Sequence, residues 1–227
     1  MLGLNILQDK TRELNILCLG AHSDDLEIGC GGTILTLASE FPNCNVYWVV
    51  FSATDVRARE ASSAAKLFLS KARSQTVLVK DFRDGFFPFI GDQIKESLEA
   101  VADQFSPDIV FTHYRDDRHQ DHRLVSDLTW NTFRGHLVLE YEIPKYDGDL
   151  GTPNFYVPLS RAVCDEKVGN IIRSFASQNS KQWFTEDTFF SLMRLRGIEC
   201  AAPVMHAEAF YARKLVLDVQ QLTGQRK

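Results

Sequence analysis

The chain has 227 residues, 44% apolar and 24% charged, enough to bury one sizeable core. A formal charge of −5 argues against non-specific nucleic-acid binding, and no run approaches the ~20 apolar residues that span a bilayer. Five cysteines without framework spacing point to reduced thiols, and residues 1–12 lack the apolar region of a signal peptide, so a cytoplasmic location is expected.

Residues 14–20, Leu-Asn-Ile-Leu-Cys-Leu-Gly, read as a first strand, and Ala21-His22-Ser23-Asp24-Asp25-Leu26-Glu27 follows directly. A strand ending in His and two adjacent acids sets polar groups at the carboxyl edge of a sheet, where open α/β folds collect their chemistry. A His and a carboxylate suit zinc or a similar divalent ion. The second carboxylate is then free to act as a base on a water that the ion activates. Equally, these acids could cap the helix that follows. Gly29-Cys30-Gly31-Gly32 lacks the spacing of a dinucleotide fingerprint and fits close helix–strand packing instead.

The pattern then predicts a helix over 33–40, a central strand over 45–51, a helix within 56–70 and a short strand over 75–80. A helix from Asp92 through Ile94, Leu98, Val101 and Phe105 stops before Pro107. Residues 108–111 form another strand, and the run 112–123 holds His113, His119 and His122 among three acids. If the two strands are neighbours, His22, Asp25 and one of these histidines converge on one ion. Three protein ligands with an open position is the coordination of a catalytic zinc. Without a C-x-x-C pair, a structural zinc ribbon is excluded.

Downstream, a helix through Leu124, Val125 and Leu128 ends near Gly135, and residues 136–141 form a further strand. Residues 143–154 are a long turn-rich segment, either a pocket rim or lid or a plain connection. Helices follow over 165–177 and from Thr185 to Gly197, with Trp183 between them read as a packing aromatic. The alternation predicts an α/β, Rossmann-like fold: a mostly parallel sheet, helices on both faces, and an active site at the carboxyl ends of the strands. One domain over 1–227 is expected.

The two clusters resemble the signatures of the PIG-L/LmbE-like de-N-acetylases, a strand followed by A-H-P-D-D-x-E and, later, H-x-D-H. Ala21 to Glu27 matches the first with Ser23 in place of Pro, and His119-Gln120-Asp121-His122 matches the second. Arg57-x-x-Glu60-Ala61, Asp84-Gly85 and Ala207-Glu208-Ala209-Phe210 add local likenesses, so the resemblance spans most of the chain.

That resemblance implies hydrolytic de-N-acetylation of an amino sugar of the N-acetylglucosamine type, as glycan, sugar nucleotide or glycoconjugate, with release of acetate. It assigns His22, Asp25 and His122 to a divalent metal, with Zn2+ the first expectation, although iron, manganese and cobalt tolerate the same donors. Asp24 is then the general base, and His119, oriented by Asp121, stabilises the oxyanion or protonates the leaving amine. Arg57 resembles a family arginine that contacts substrate hydroxyls or phosphate, or is a surface charge at a helix start. Asp84 bonds a sugar hydroxyl or simply starts the Asp84-Gly85 turn. His206 makes a transition-state contact or has a structural place by the pocket wall, and His113, at its strand end, reads as pocket floor or as a residue behind the site. Tyr146 or Tyr156 could pack on a sugar face. Ser23 should leave the ligand loop slightly softer, since serine does not fix a backbone angle as proline does, or it could cap the turn. The partner is a small-molecule or glycan substrate, with room for a homo-oligomer whose neighbouring copies complete the rim. Two competing readings are an amidase for another acyl group and a non-catalytic sugar- or metal-binding module, which should lack the base or the His–Asp pair.

Overall fold

The computed structural model describes residue 7 and residues 9–216, so most of the amino-terminal stretch read for a leader lies outside the described residues. Two nearly continuous apolar runs build its centre, β1 (Leu14–His22) and β2 (Cys44–Ser52). Such runs suit strands covered on both faces. With β3 (Ser74–Val79), β4 (Ile109–His113) and β5 (Leu137–Tyr141) they form a parallel sheet in the order β3-β2-β1-β4-β5. Two strands not predicted from the sequence, β6 (Phe155–Pro158) and β7 (Ala207–Ala212), extend it as β5-β7-β6 with antiparallel pairing. At four and six residues, they are too short to show a clear alternation.

Alternation along the strands sorts the core into two layers. Ile16, Cys18, Val46 and Trp48 face α1 (Asp25–Glu40), α2 (Asp55–Phe68), α5 (Arg161–Ser174) and α6 (Glu186–Glu199). Leu17, Leu19, Val49 and Phe51 face α3 (Gly91–Gln104) and α4 (Gln120–Thr132). The chain winds outward from β1 to β3, then returns to β4 on the other side of β1. Strand order therefore reverses between β1 and β4, where Ile16 pairs Ile109 and Cys18 pairs Phe111. The crevice outside the carboxyl ends at such a reversal is where ligands bind in open α/β sheets. Residues 21–27 and 112–123 both emerge there. No helix among the described residues is long and apolar enough to cross a membrane.

Helix α1 begins at Asp25, eight residues before the predicted start. Its glycines lower helix propensity, and tertiary packing overrides that. A Cβ on Gly29 would lie 2.2 Å from the buried Tyr141 ring, and one on Gly31 would lie 2.5 Å from Phe68. The same glycine-rich stretch meets a buried ion pair from α5 and β7. Lys167 Nζ donates to the Ile28 carbonyl and pairs with Glu208 at 2.6 Å; Glu208 accepts the Gly32 and Thr33 amides at 2.7 Å each. The helix that begins with Asp25 is thereby held from two directions.

Candidate active site

His22 ends β1, Asp25 opens α1 and His122 lies in the first turn of α4, so three secondary-structure ends supply one cluster. His22 Nδ1 lies 3.2 Å from His122 Nε2 and 3.4 Å from Asp25 Oδ2, and His122 Nε2 lies 3.6 Å from that same oxygen. Nitrogen and oxygen ligands at about 2.0–2.2 Å from a tetrahedral ion stand about 3.3–3.6 Å apart, so this donor set fits a zinc-like cation. Asp25 is fixed further by the His22 backbone N–H, which donates to Oδ2 at 2.6 Å.

Both histidines are held from behind by carboxylates, the arrangement that sets tautomer and ring angle in metal sites. His122 Nδ1 lies 2.9 Å from Asp117 Oδ2. Burial would raise the Asp117 carboxyl, but the bond to His122 and the Lys145 charge outweigh it and hold it well below the usual range. Burial lowers His122 to about 3, with the charge of His113 adding to that shift, so its Nε2 lone pair is free at neutral pH. His22 Nε2 lies 3.1 Å from Asp84 and 3.2 Å from Asp121. The sequence expectation set Asp121 on His119; the structure sets its carboxylate on His22. Asp121 Oδ2 and Oδ1 also accept the Gly85 and Phe87 amides, because the turn after β3 folds beneath α4. Only the Asp121 backbone N–H reaches His119, at Nδ1 and 3.3 Å.

Three overlapping groupings of potential ligands are less suited, and the first, His22 with His119 and His122, forgoes the Asp25 carboxylate while His119 Nδ1 is taken by the Asp121 amide. Asp25, His113 and His122 approach one another, but His113 Nε2 already accepts the Ala21 amide at 2.9 Å and its ring lies under His122 at 3.9 Å. His113 is thus a floor to the site. His22 also groups with Asp84, His119 and Asp121, whose oxygens are engaged as described.

Asp24 makes no helix-capping bond although it stands at the N-cap of α1. Its φ of 90° is left-handed, a conformation costly for a residue with a side chain and characteristic of functional turns. Oδ1 accepts Arg57 at 2.9 Å, whereas the buried Oδ2 has no partner. Burial, opposed by Arg57 and aided by the Asp25 charge, raises this carboxyl to about 7. Glu27, fully buried beyond it, is pushed well above the usual carboxylate range by burial.

Arg57 reaches across from the first turn of α2. Its guanidinium donates to the Ser23 carbonyl, to Ser23 Oγ at 3.0 Å and to Asp24, which compensates a cation at a helix N-terminus. The loop expected to be softer at Ser23 is instead pinned by the serine hydroxyl. Ser23 caps nothing; it is buried and accepts from Arg57.

His119 packs edge-on to His22 at 4.7 Å and over His122 at 4.6 Å. Its Nδ1 accepts a backbone N–H, so the neutral ring carries its proton on Nε2. Burial and the His22 charge lower its pKa. His206 is not brought to this cluster. It precedes β7, is absent from the cleft lining, packs edge-on to Phe190 and donates from Nδ1 to the Val204 carbonyl.

A cleft of about 280 Å3 opens on the cluster, lined by Asp24, Arg57, Asp84, His119, Lys145, Tyr146, Lys181 and Trp183 among others. Trp183 packs against the core beside Phe184, as expected, and its ring also forms part of this wall. Tyr146 is on the rim, and the Tyr156 hydroxyl turns away to the Pro153 carbonyl. The 143–154 segment is anchored at both ends. Lys145 pairs with Asp117 at 3.0 Å and Asp149 at 2.5 Å, and Glu142, held by Arg196 at 2.7 Å, accepts the Gly151 amide at 2.9 Å. Asp117 was missed in the sequence because only the fold shows which of three neighbouring acids lies behind His122.

Residues 17–133, more than half of the chain, match the family model of the N-acetylglucosaminyl-phosphatidylinositol de-N-acetylases. The chain belongs to the PIG-L family. The uncharacterized deacetylase YaiS of Escherichia coli K12 is 28% identical over 149 residues, 61% of this chain and 79% of that protein. The N,N'-diacetylchitobiose deacetylase of Pyrococcus horikoshii superposes with a TM-score of 0.65 at 21% identity, over 86% of this chain and 82% of that one. The 4-carboxy-2-hydroxymuconate hydratase GalB of Pseudomonas putida KT2440 superposes at 0.71 and 19% identity, over 90% and 98%. These two structures share the fold. At the level of the PIG-L family, the chain is a hydrolase of the deacetylase type.

Proposed function

We propose that this PIG-L protein is a metal-dependent hydrolase that removes the acetyl group from an N-acetylated amino sugar of the N-acetylglucosamine type. It works as a single cytoplasmic domain on a small-molecule or glycan substrate. The observation that carries the reading is the triangle of His22 Nδ1, Asp25 Oδ2 and His122 Nε2, whose 3.2–3.6 Å edges suit one Zn2+. A divalent ion held there would polarise the amide carbonyl and make an attacking water more acidic.

The chain's own residues supply the rest. Asp24 Oδ2 accepts the proton of the attacking water; Arg57 occupies the other oxygen and keeps Oδ2 available. A carboxyl raised to about 7 matches a base working near neutral pH. His119 holds a proton on Nε2 beside the cluster, where it meets the developing oxyanion or passes that proton to the departing amine. Asp121 and Asp84 keep His22 Nδ1 turned inward, and Asp117 does the same for His122 Nε2. Asp84 and Arg57 line the cleft where sugar hydroxyls would lie.

The test is acetate release from N-acetylated monosaccharides, sugar nucleotides and glycosides, with and without chelator. Release that chelator abolishes and Zn2+ restores is expected. Sugar binding without acetate would favour a non-catalytic module, and turnover indifferent to chelator would remove the metal from the scheme.

A further inference from the structure

Three lysine and arginine side chains line the cleft, and two are committed. Arg57 is spent on Ser23 and Asp24, and Lys145 on Asp117, Asp147 and Asp149. Lys181, half-buried in the segment between α5 and α6, has no carboxylate within ion-pair distance and no acceptor for its ammonium among the described residues. Its Nζ sits 5.4 Å from the centre of the Trp183 ring, and Tyr146 meets that ring edge-on at 6.5 Å. Lys181 lines the same cleft as Asp24, His22 and His119. The acids that share the cleft are already engaged: Asp84 and Asp25 by His22, Asp24 by Arg57, and Asp147 by Lys145.

We infer that Lys181 recognises an anion on the substrate, so the cleft takes an N-acetylated amino sugar bearing a phosphate or carboxylate substituent. The sugar lies between the His22–Asp25–His122 cluster and the wall of Trp183 and Tyr146, with its anionic arm toward Lys181. A half-buried ammonium that no carboxylate of the described residues meets is left to pair with an anion on a ligand, where a charge-assisted bond forms. This inference rests on the hydrolase reading above and narrows its substrate class.

The probes are the methyl glycoside of N-acetylglucosamine, its 1-phosphate and its carboxymethyl glycoside. Amine release is measured for the zinc-loaded wild type, Lys181→Gln and Lys181→Arg. Wild type should favour at least one anionic probe over the neutral one by about ten- to a hundredfold in kcat/KM, the worth of one charge-assisted bond. In Lys181→Gln this ratio should collapse toward one, and Lys181→Arg should keep most of it. Whichever anionic probe gives the larger ratio identifies the anion. A wild-type ratio near one, or an unchanged ratio in Lys181→Gln, overturns the inference while leaving acetate release intact. Should no probe lose acetate, the hydrolase reading fails. Calorimetric binding of the same probes to Asp24→Asn, with and without Lys181→Gln, then decides on Lys181 by itself: anion-selective binding lost with the lysine supports it, and equal binding of all three refutes it.

Discussion

The buried pair of Lys167 and Glu208 should behave as a strongly coupled unit that stabilises the helix carrying Asp25. Both side chains are only 3% exposed and 2.6 Å apart, and Glu208 also satisfies two amides of α1. Removing one partner of a buried pair leaves an uncompensated charge and costs about 3–5 kcal/mol. Lys167→Met should fall at the lower end, since Glu208 keeps the Gly32 and Thr33 amides. Glu208→Gln strands the ammonium for a similar loss. The double variant Lys167→Met/Glu208→Gln leaves a neutral amide in place of two charges, but its single carbonyl oxygen serves only one of the two α1 amides, so it should cost about 1–3 kcal/mol. The cycle therefore predicts a coupling of about 3–5 kcal/mol. Glu208→Ala, which also orphans two buried N–H groups at about 1–3 kcal/mol each, should approach the whole stability of the domain. Urea unfolding followed by far-UV circular dichroism reads all four. Additive single variants, or a Glu208→Ala loss under about 1 kcal/mol, would refute the reasoning, because the pair would then be no more than a surface-like contact.

Asp24→Asn should lower turnover by about 10²–10⁴ while metal content by mass spectrometry is kept; loss of metal would make Asp24 a ligand instead. Turnover of the parent enzyme should rise with pH as the Asp24 carboxyl ionises, with a bound cation drawing that limb below the value of about 7 that the protein surroundings set, and the residual activity of Asp24→Asn should lack that limb. Since the folded value lies above the unfolded ~3.9, Asp24 favours folding below that pH and loses the contribution as pH rises through 7. In chelator-treated protein, wild type should lose up to about 4 kcal/mol relative to Asp24→Asn between pH 4 and 8, read as the difference in urea midpoints. Asp117→Asn, behind His122, should weaken Zn2+ about 10- to 100-fold in a competition titration, and unchanged affinity would show that the 2.9 Å contact does not orient the ligand. Gly29→Ala drives a methyl group to 2.2 Å from the Tyr141 ring and should cost about 1–3 kcal/mol; a neutral outcome in thermal melting would mean that α1 shifts freely.

Much of the fold is legible locally. The runs that become β1, β2, β4 and β5 are apolar and flanked by turns or helices, and the intervening helices follow their apolar periodicity. The order of the two clusters, each at a strand end, already pointed to one edge of one sheet. What periodicity could not supply was β6 and β7, whose pairing exists only because β5 offers a free edge. The start of α1 was hidden because three glycines look like a break until Tyr141 and Phe68 are seen against them.

Within the site, residue types and spacing determined what could be present: His22 and Asp25 three apart at a strand-to-helix turn, and His119 and His122 three apart at the start of α4. Which oxygen lies behind which imidazole was settled only by the tertiary structure. Asp121 stands on His22 because the turn at Gly85 and Phe87 draws its carboxylate away from His119; Asp117, unremarked among its neighbours, stands behind His122. Ser23 gains a role only when α2 brings Arg57 to it across 34 positions of chain, and β7 leaves His206 three strands aside. A local pattern records which donors and acceptors a segment carries, whereas their pairing depends on distances that the order of strands alone creates.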